Sequence, residues 1–387
     1  MHSLPTPDPD ALKLSEALQQ KIRSAIRSEG GSLSFARFME MALYEPGLGY
    51  YSAGLAKFGS EGDFITAPEV SPFFGRCFAR QIKQVFDGLD GNKTILEFGA
   101  GSGRLACDIL RELEALNTLP DTYLILEVSA DLRERQQQLI AKELPQLIGK
   151  IEWLDQLPEE KISGVILANE VLDALPVERF QITDHQISEQ RVAFKNDQFH
   201  FVNREALEPL KQAVEAIQRP LPDGYLSEIN RHLPAWFKGL SDTLGSGVIF
   251  CVDYGCSHND YYHPDRISGT LICHYRHRAH DDPFVYIGLQ DISASVNFTA
   301  VAEAADQCEF EIEGYTTQAH FLMSCGLVEM LDIEQGKSTD QYLRASQQVK
   351  TLTLPGEMGE RFKVIALTKE FDEPLMGFET NNLLERL

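Results

Sequence analysis

Four residues at regular spacing could build a binding site for a small charged ligand. Glu97, Gly99, Gly101 and Gly103 form the pattern acid-x-G-x-G-x-G at the end of an apolar run that predicts a buried strand. Glycines allow the backbone to turn sharply and to approach a ligand closely, because they carry no Cβ atom. A turn between a strand and a helix also presents free backbone N–H groups. We therefore predict that Glu97, Gly99, Ala100, Gly101 and Gly103 bind a ligand.

The acidic groups near this turn indicate which ligand it is. A dinucleotide-binding turn needs a small residue at the position that Arg104 holds here. Glu97 would repel a pyrophosphate, whereas it suits the sulfonium and ammonium groups of S-adenosylmethionine. Glu127 closes the next apolar run, thirty residues after Glu97, where a carboxylate can bind ribose hydroxyls. The sequence thus predicts S-adenosylmethionine as the cofactor; the alternatives are a nicotinamide cofactor and a glycine turn that serves only packing.

A second polar set follows the apolar run 164–168, which predicts another buried strand. Asn169, Glu170 and Asp173 come directly after that run. Ligands of open α/β sheets lie outside the carboxyl ends of the strands, so these side chains should lie at the same crevice as the glycine turn. We predict that Asn169 and Glu170 contact the cofactor. The alternative is that the three residues cap the next helix.

Composition and charge narrow the class of protein. The chain has 387 residues, 43% hydrophobic and 24% charged, which is typical of a globular protein. Its net charge of −23 would repel nucleic acids and anionic membranes, so we expect neither nucleic-acid binding nor membrane insertion. The seven cysteines are scattered without a CxxC pair and no targeting segment is recognised, which predicts free thiols and a cytoplasmic location. The oligomeric state stays open, with a homodimer among the alternatives.

The order of predicted elements indicates how these residues are positioned. From residue 94 onward strand and helix patterns alternate, which predicts an α/β fold around a parallel sheet. The alternation is interrupted at 178–240, where we expect an inserted subdomain. The predicted parts are an N-terminal helical cap with an active-site lid loop (1–90), the first part of the core (91–177), the inserted substrate subdomain (178–240), and the second part of the core (241–387) with a long polar loop (269–298).

The spacing of Cys273, His274, His277 and His280 raises the question of a metal site. The sequence predicts no helix that would bring these four side chains together. We therefore favour a hydrogen-bonding loop and predict no metal.

Several blocks of the chain resemble the MidA-like family of class I S-adenosylmethionine-dependent methyltransferases. That family includes the mitochondrial complex I assembly factor that is a protein arginine methyltransferase. The resembling blocks are YEPGLGYY (44–51), GDFITAPEVSPFFG (62–75), ILEFGAGSGRLA (95–106), NEVLDALP (169–176), VDYG (252–255) and the segment 277–299. The resemblance implies a Rossmann-like core with a seven-stranded, mostly parallel sheet, an N-terminal helical cap and an inserted α+β subdomain. The chain departs from the family at Asn297, where the family usually has Asp.

The resemblance also implies that the methyl acceptor is an arginine side chain of a protein. Carboxylates can hold a guanidinium group bidentately and localise its charge. Glu69, Glu170 and Asp173 are our candidates for this work, and His277 or His280 for accepting the proton. We expect loop 62–71 to form one wall of the site, with Glu69 facing the acceptor. The alternatives are a small-molecule methyltransferase and a non-catalytic assembly protein on the same fold.

Overall fold

The computed structural model describes residues 4–53, 66–336 and 338–387. The α-helices of the described residues are α1 (Pro9–Ser28), α2 (Phe35–Tyr44), α3 (Ala67–Val70), α4 (Pro72–Asp87), α5 (Arg104–Ala115), α6 (Ala130–Glu143), α7 (Glu208–Glu215), α8 (Leu233–Thr243), α9 (His258–Tyr261), α10 (Phe298–Asp306), α11 (Gln318–Ser324), α12 (Leu327–Gln335) and α13 (Thr339–Thr353). None of these helices combines the length and the apolar character needed to cross a lipid bilayer.

The strands complete the inventory of the described residues. They are β1 (Leu33–Ser34), β2 (Thr94–Phe98), β3 (Thr122–Leu126), β4 (Ile151–Leu154), β5 (Ile162–Asn169), β6 (Glu178–Thr183), β7 (Gln186–Lys195), β8 (Gln198–Glu205), β9 (Leu226–Ile229), β10 (Leu244–Cys256), β11 (Ile272–Tyr275), β12 (Arg278–His280), β13 (Asp291–Ser293), β14 (Val296–Asn297), β15 (Glu311–Thr317) and β16 (Phe362–Lys369).

The described residues divide into two compact units. The first, here called the insertion unit, takes its residues from Met1–Phe64, Asp173–Leu233 and His258–Ser295. The second, here called the core unit, takes its residues from Ile65–Leu172, Pro234–Ser257 and Val296–Leu387. Each unit therefore draws on several separate stretches of the chain, and the predicted four-part division stays a prediction.

The core unit is built on one mixed sheet. Seven strands follow the order β15-β16-β10-β5-β2-β3-β4, and the short β14 pairs with the end of β10. The pairs β10–β5, β5–β2, β2–β3 and β3–β4 are parallel, and β16 is antiparallel to both its neighbours. The predicted α/β fold with a mostly parallel sheet is confirmed. The sequence did not predict β14 as a strand, since two residues are too few to show a pattern.

Apolar side chains of strands and helices fill one buried cluster in the core unit. Phe78 of α4, Ile109 of α5 and Val165 of β5 all belong to it and are almost fully buried. Strands covered on both faces need apolar residues at successive positions, which explains the continuous apolar runs seen in the sequence.

The register of the parallel strands sets the positions of the predicted site residues. Phe98 of β2 pairs with Leu126 of β3 on one side and with Ala168 of β5 on the other. Gly99 follows Phe98, Glu127 follows Leu126 and Asn169 follows Ala168. The three predicted cofactor contacts therefore follow the same row of the sheet, at its carboxyl edge.

The insertion unit contains antiparallel sheets. A five-stranded sheet has the order β1-β7-β6-β9, and β8 also pairs with β7, along residues 188–195. Leu18 of α1 and Phe38 of α2 are fully buried in the core of this unit with Val192 of β7. Strands β6, β7 and β8 lie within the stretch 178–240, where the sequence showed no alternation of strands and helices.

The segment 269–298 was predicted to be a long polar loop, and this prediction is wrong. It contains a three-stranded antiparallel sheet of order β12-β11-β13. Arg276 and His277 join β11 to β12 with φ angles of +47° and +59°. Such turns usually contain Asn or Gly, so the sequence carried no recognisable mark of this hairpin.

Candidate functional site

The glycine turn has the open, left-handed geometry that its glycines predict. Gly99, Gly101 and Gly103 have φ angles of +58°, +54° and +86°. The amide of Gly99 donates to the carbonyl of Leu126 at 3.0 Å, which fastens the turn to β3. A Cβ atom at Gly99 would meet nothing within 4 Å among the described residues, so the space in front of the turn is open. Ala100, in the same turn, is buried.

The helix after the turn is α5, and its N-cap residue is Gly103. The Ser102 hydroxyl accepts a hydrogen bond from the amide of Arg104 at 3.2 Å. The Arg104 guanidinium contacts both carboxylate oxygens of Glu143 at 3.0 and 2.8 Å. A long ion-paired side chain thus stands where a dinucleotide fold needs a small residue.

Glu97 is a buried acid behind the turn. Its side chain accepts a hydrogen bond from the Tyr123 hydroxyl at 2.8 Å, and the residue is 2% exposed. Burial raises the pKa of Glu97 to about 7; the Tyr123 bond acts in the opposite direction, and the charge of Glu127 adds to the increase. A carboxyl group with such a pKa responds readily to a nearby positive charge.

Replacing Glu97 by glutamine should change how stability depends on pH. The folded protein keeps the proton of Glu97 up to about pH 7, whereas the unfolded chain releases it near 4.5. The free energy of unfolding without cofactor should therefore fall by up to about 3 kcal/mol as the pH rises through this interval. Glu97→Gln should remove most of this fall, measured by denaturant unfolding at a series of pH values. An unchanged pH dependence would contradict the raised pKa.

Glu127 follows β3 and is held by two donors. Its carboxylate accepts from the Ser129 amide at 2.9 Å and from the Gln136 side-chain amide at 3.0 Å. The residue is 4% exposed. Gln136 was not predicted from the sequence, because one glutamine in a polar helix carries no recognisable pattern.

Asn169 and Glu170 mark the carboxyl end of β5. The side-chain oxygen of Asn169 is buried and has no hydrogen-bond partner among the described residues. Glu170 has a φ angle of +52°, which non-glycine residues rarely adopt, and its amide donates to the carbonyl of Val252 at 2.8 Å. Strained backbone of this kind occurs often at functional sites, and a buried amide oxygen without a donor suits a ligand with N–H or O–H groups.

A buried aspartate supports the segment that follows β5. The Asp253 carboxylate accepts from the amides of Leu172 and Tyr254, at 3.0 and 2.9 Å. The residue is fully buried. Asp253 belongs to β10. Its partner Leu172 lies 81 residues away along the chain, so this contact could not be predicted from the sequence.

Glu69 lies beside the glycine turn. It belongs to α3 and is half-buried, and its carboxylate accepts a hydrogen bond from the Ser102 hydroxyl. Of the predicted wall 62–71, the structure describes 66–71; residues 62–65 lie outside the described residues. The expected placement of Glu69 toward an acceptor stays a prediction.

The remaining candidates belong to the insertion unit. Asp173 is buried, and its carbonyl accepts from the Ala294 amide at 3.0 Å. His277 is exposed at the tip of the β11–β12 hairpin. His280 accepts from the Asp282 amide at 3.3 Å, and burial lowers the pKa of its ring. The Nδ1 atom of His280 already accepts a hydrogen bond, and the role of either histidine as a proton acceptor stays a prediction.

The same unit holds a buried carboxylate that was not among the predicted catalytic residues. Asp291 accepts from the Tyr51 hydroxyl at 2.9 Å and from the Ser293 hydroxyl at 2.6 Å. Burial raises the pKa of Asp291. Asp291 could not be singled out from the sequence, because the residues next to it in the chain give no sign that it is buried.

Asn297 replaces the Asp that is usual in the MidA-like family, and it caps a helix. Its side-chain oxygen accepts from the Ala300 amide at 3.3 Å, at the start of α10. Asn and Asp serve about equally well as N-caps. The replacement is therefore compatible with an unchanged fold.

The residues at the carboxyl edge of the core sheet fit the predicted cofactor. Glu127 is the predicted partner of the ribose hydroxyls, and Glu97 is the predicted partner of a cationic group. The Asn169 oxygen offers a buried acceptor, and the open space at Gly99 lets a ligand approach the backbone. The acceptor groups of Glu97, Glu127 and Asn169 near the glycine turn suit a ligand that carries hydroxyls, an amine and a sulfonium.

Comparisons with known families and structures agree with this chemistry. Residues 77–316 match the model of a family described as "Putative S-adenosyl-L-methionine-dependent methyltransferase". A protein from Burkholderia thailandensis, whose crystal structure holds S-adenosyl-homocysteine, has 40% sequence identity and a TM-score of 0.95, with 100% of both chains covered. A native crystal structure from the same organism has 40% identity and a TM-score of 0.93, again over 100% of both chains.

Named relatives cover most of the chain at lower identity. The protein named "Protein arginine methyltransferase NDUFAF7, mitochondrial" of Rattus norvegicus is 28% identical over 380 residues, which cover 90% of this chain and 83% of the relative. The homolog of that protein in Drosophila melanogaster is 27% identical, covering 97% of this chain and 92% of the relative.

Proposed function

Since the chain belongs to this family of S-adenosyl-L-methionine-dependent methyltransferases, we propose that its methyl acceptor is an arginine side chain of a protein. Its cofactor is S-adenosylmethionine, as the sequence predicted. The observation that carries the proposal is the similarity to relatives that are named protein arginine methyltransferases and match about nine tenths of this chain or more.

The described carboxylates supply chemistry that an arginine acceptor needs. Free guanidinium has a pKa above about 12, so its nitrogen becomes nucleophilic only as a proton leaves. When bound, the cofactor supplies an electrophilic methyl group. We propose that Glu170 and Glu69 orient the guanidinium from the core unit. Their neighbours support this proposal, since Glu170 follows Asn169 in the strained segment after β5, and Glu69 contacts the glycine turn.

We propose that the insertion unit binds the acceptor protein, and that its helices α1 and α2 form the predicted N-terminal cap. Asp173 and His280 belong to this unit, and their predicted roles in holding a guanidinium and accepting a proton stay predictions. His277 is a weaker candidate, because it is exposed at a hairpin tip, where a proton acceptor would be solvated.

Two further parts of the function remain proposals. The family resemblance suggests that the methylated protein is a subunit of a respiratory or other complex. The scattered cysteines support a reducing compartment, and we propose the cytoplasm, while the relatives' names place those proteins in mitochondria.

The acceptor can be identified directly. Purified protein is incubated with methyl-labelled S-adenosylmethionine and a cell extract, and the labelled proteins are hydrolysed to amino acids for mass spectrometry. The proposal predicts labelled methylarginine, which should disappear with Gly101→Val, a variant expected to lose the cofactor. Label on lysine, or on a small molecule with no labelled protein, would refute an arginine acceptor.

Glu69→Gln tests the acceptor role of Glu69. The amide oxygen can still accept from Ser102, but the negative charge is gone. If Glu69 holds a guanidinium, methyl transfer should slow by about tenfold or more, while the dissociation constant of S-adenosyl-homocysteine stays nearly unchanged. Glu134→Gln, at an exposed position of α6, is the matched control. If the variant transfers methyl groups at the normal rate but binds S-adenosyl-homocysteine more weakly, Glu69 contacts the cofactor and not the acceptor.

A further inference from the structure

Gln136 is a fully buried amide at the centre of a hydrogen-bond network in the core unit. Its side-chain nitrogen donates to the Gly101 carbonyl at 3.0 Å and to the Glu127 carboxylate at 3.0 Å. Its side-chain oxygen accepts from the Trp153 indole at 2.9 Å. One side chain of α6 thus joins the glycine turn, the acid after β3 and a tryptophan of β4.

The chemistry of the three partners fixes the orientation of this amide. The Trp153 indole can only donate, so it must face the amide oxygen. The Gly101 carbonyl can only accept, so it must face the amide nitrogen. A flipped amide would lose all three hydrogen bonds, and the network therefore determines which end points toward Glu127.

Gly103 lets α6 pack closely against the turn. A Cβ atom at Gly103 would lie 3.3 Å from both Cα and Cγ of Gln136. The glycine at this position therefore lets α6 approach closely enough for Gln136 to reach Gly101 and Glu127.

We propose that Gln136 is a positioning residue for the cofactor. It holds the Glu127 carboxylate in place for the ribose hydroxyls, and it keeps the Gly101 carbonyl in the left-handed turn that faces the ligand. The Ser129 amide donates to one oxygen of Glu127 and Gln136 donates to the other, so the loss of Gln136 removes a hydrogen bond that orients this carboxylate. The inference rests on the cofactor assignment of Glu127 and does not depend on the nature of the acceptor.

A double-mutant cycle on cofactor affinity tests the proposal. The dissociation constant of S-adenosyl-homocysteine is measured by calorimetry for the parent, Gln136→Leu, Glu127→Gln and the double variant. Each single variant should weaken binding by about tenfold. Because Gln136 acts through Glu127, the double variant should bind clearly more tightly than the product of the two losses predicts. Thermal unfolding verifies that each variant is folded.

Two further variants separate positioning from packing. Trp153→Phe removes the indole donor that orients the amide but keeps an aromatic ring, and it should weaken binding by a smaller factor than Gln136→Leu. Gln138→Leu makes the same substitution at an exposed position of α6 and should leave binding unchanged. If Gln136→Leu does not fold, Trp153→Phe paired with Glu127→Gln gives the same cycle.

The outcomes are distinguishable. Parent-like binding by Gln136→Leu, or losses that simply multiply in the double variant, would overturn the proposal and leave Gln136 as a packing residue. Normal binding by Glu127→Gln would overturn both the ribose assignment of Glu127 and the role of Gln136. None of these results bears on the arginine acceptor, because no acceptor is present in the assay.

Discussion

Replacing Gly101 by valine should abolish measurable binding of S-adenosylmethionine. Gly101 has a φ angle of +54°, and a β-branched residue strongly disfavours that conformation. The turn must then change its path, which moves the Gly101 carbonyl away from Gln136 and disturbs the backbone that faces the ligand. We expect at least about a hundredfold loss of affinity by calorimetry, since backbone and side-chain contacts are lost together.

Gly91→Val is the matched control for this prediction. Gly91 also has a positive φ angle, +77°, and a Cβ atom there would meet nothing within 4 Å among the described residues. The same substitution should therefore cost similar backbone strain outside the glycine turn, and cofactor binding should persist. Retained affinity in folded Gly101→Val would contradict the placement of the cofactor at this turn.

Replacing Asp253 by alanine should destabilise the core unit and stop methyl transfer. The buried amide of Leu172 would lose its acceptor, and the Tyr254 amide would lose one as well. Leaving the buried Leu172 amide without its acceptor, and removing the hydrogen bond to Tyr254, should together cost about 3 kcal/mol of the free energy of unfolding. The segment with Asn169 and Glu170 would also lose its anchor, so residual folded protein should transfer methyl groups far more slowly.

Denaturant unfolding and a labelled-methyl assay measure the two effects of Asp253→Ala. Asp372→Ala, at an exposed position, should change stability by no more than about 0.5 kcal/mol. A variant as stable and as active as the parent would show that the two hydrogen bonds do not support the segment after β5.

The cofactor and the core fold could be predicted because their determinants are local in the sequence. Glu97 and the glycine turn occupy seven consecutive positions, and each buried parallel strand appears as a continuous apolar run. The family resemblance also depends on short stretches of consecutive residues, and the match over residues 77–316 confirms it.

What could not be predicted depends on contacts between distant residues. Gln136 acquires its role only when α6 packs against Gly103 and β4 brings Trp153 beside it. Asp253 likewise acquires its role through a contact with Leu172, which lies in the segment after β5. The hairpin at 276–277 uses residues that rarely form such turns, so its strands resembled a polar loop.

A crystal structure of this protein with S-adenosyl-homocysteine tests the central claim most directly. The account predicts that the ligand contacts the backbone of Gly99 and Gly101, that its ribose hydroxyls donate to Glu127, and that the buried oxygen of Asn169 gains a donor. A ligand bound elsewhere on the molecule, with its ribose hydroxyls away from Glu127, would contradict it.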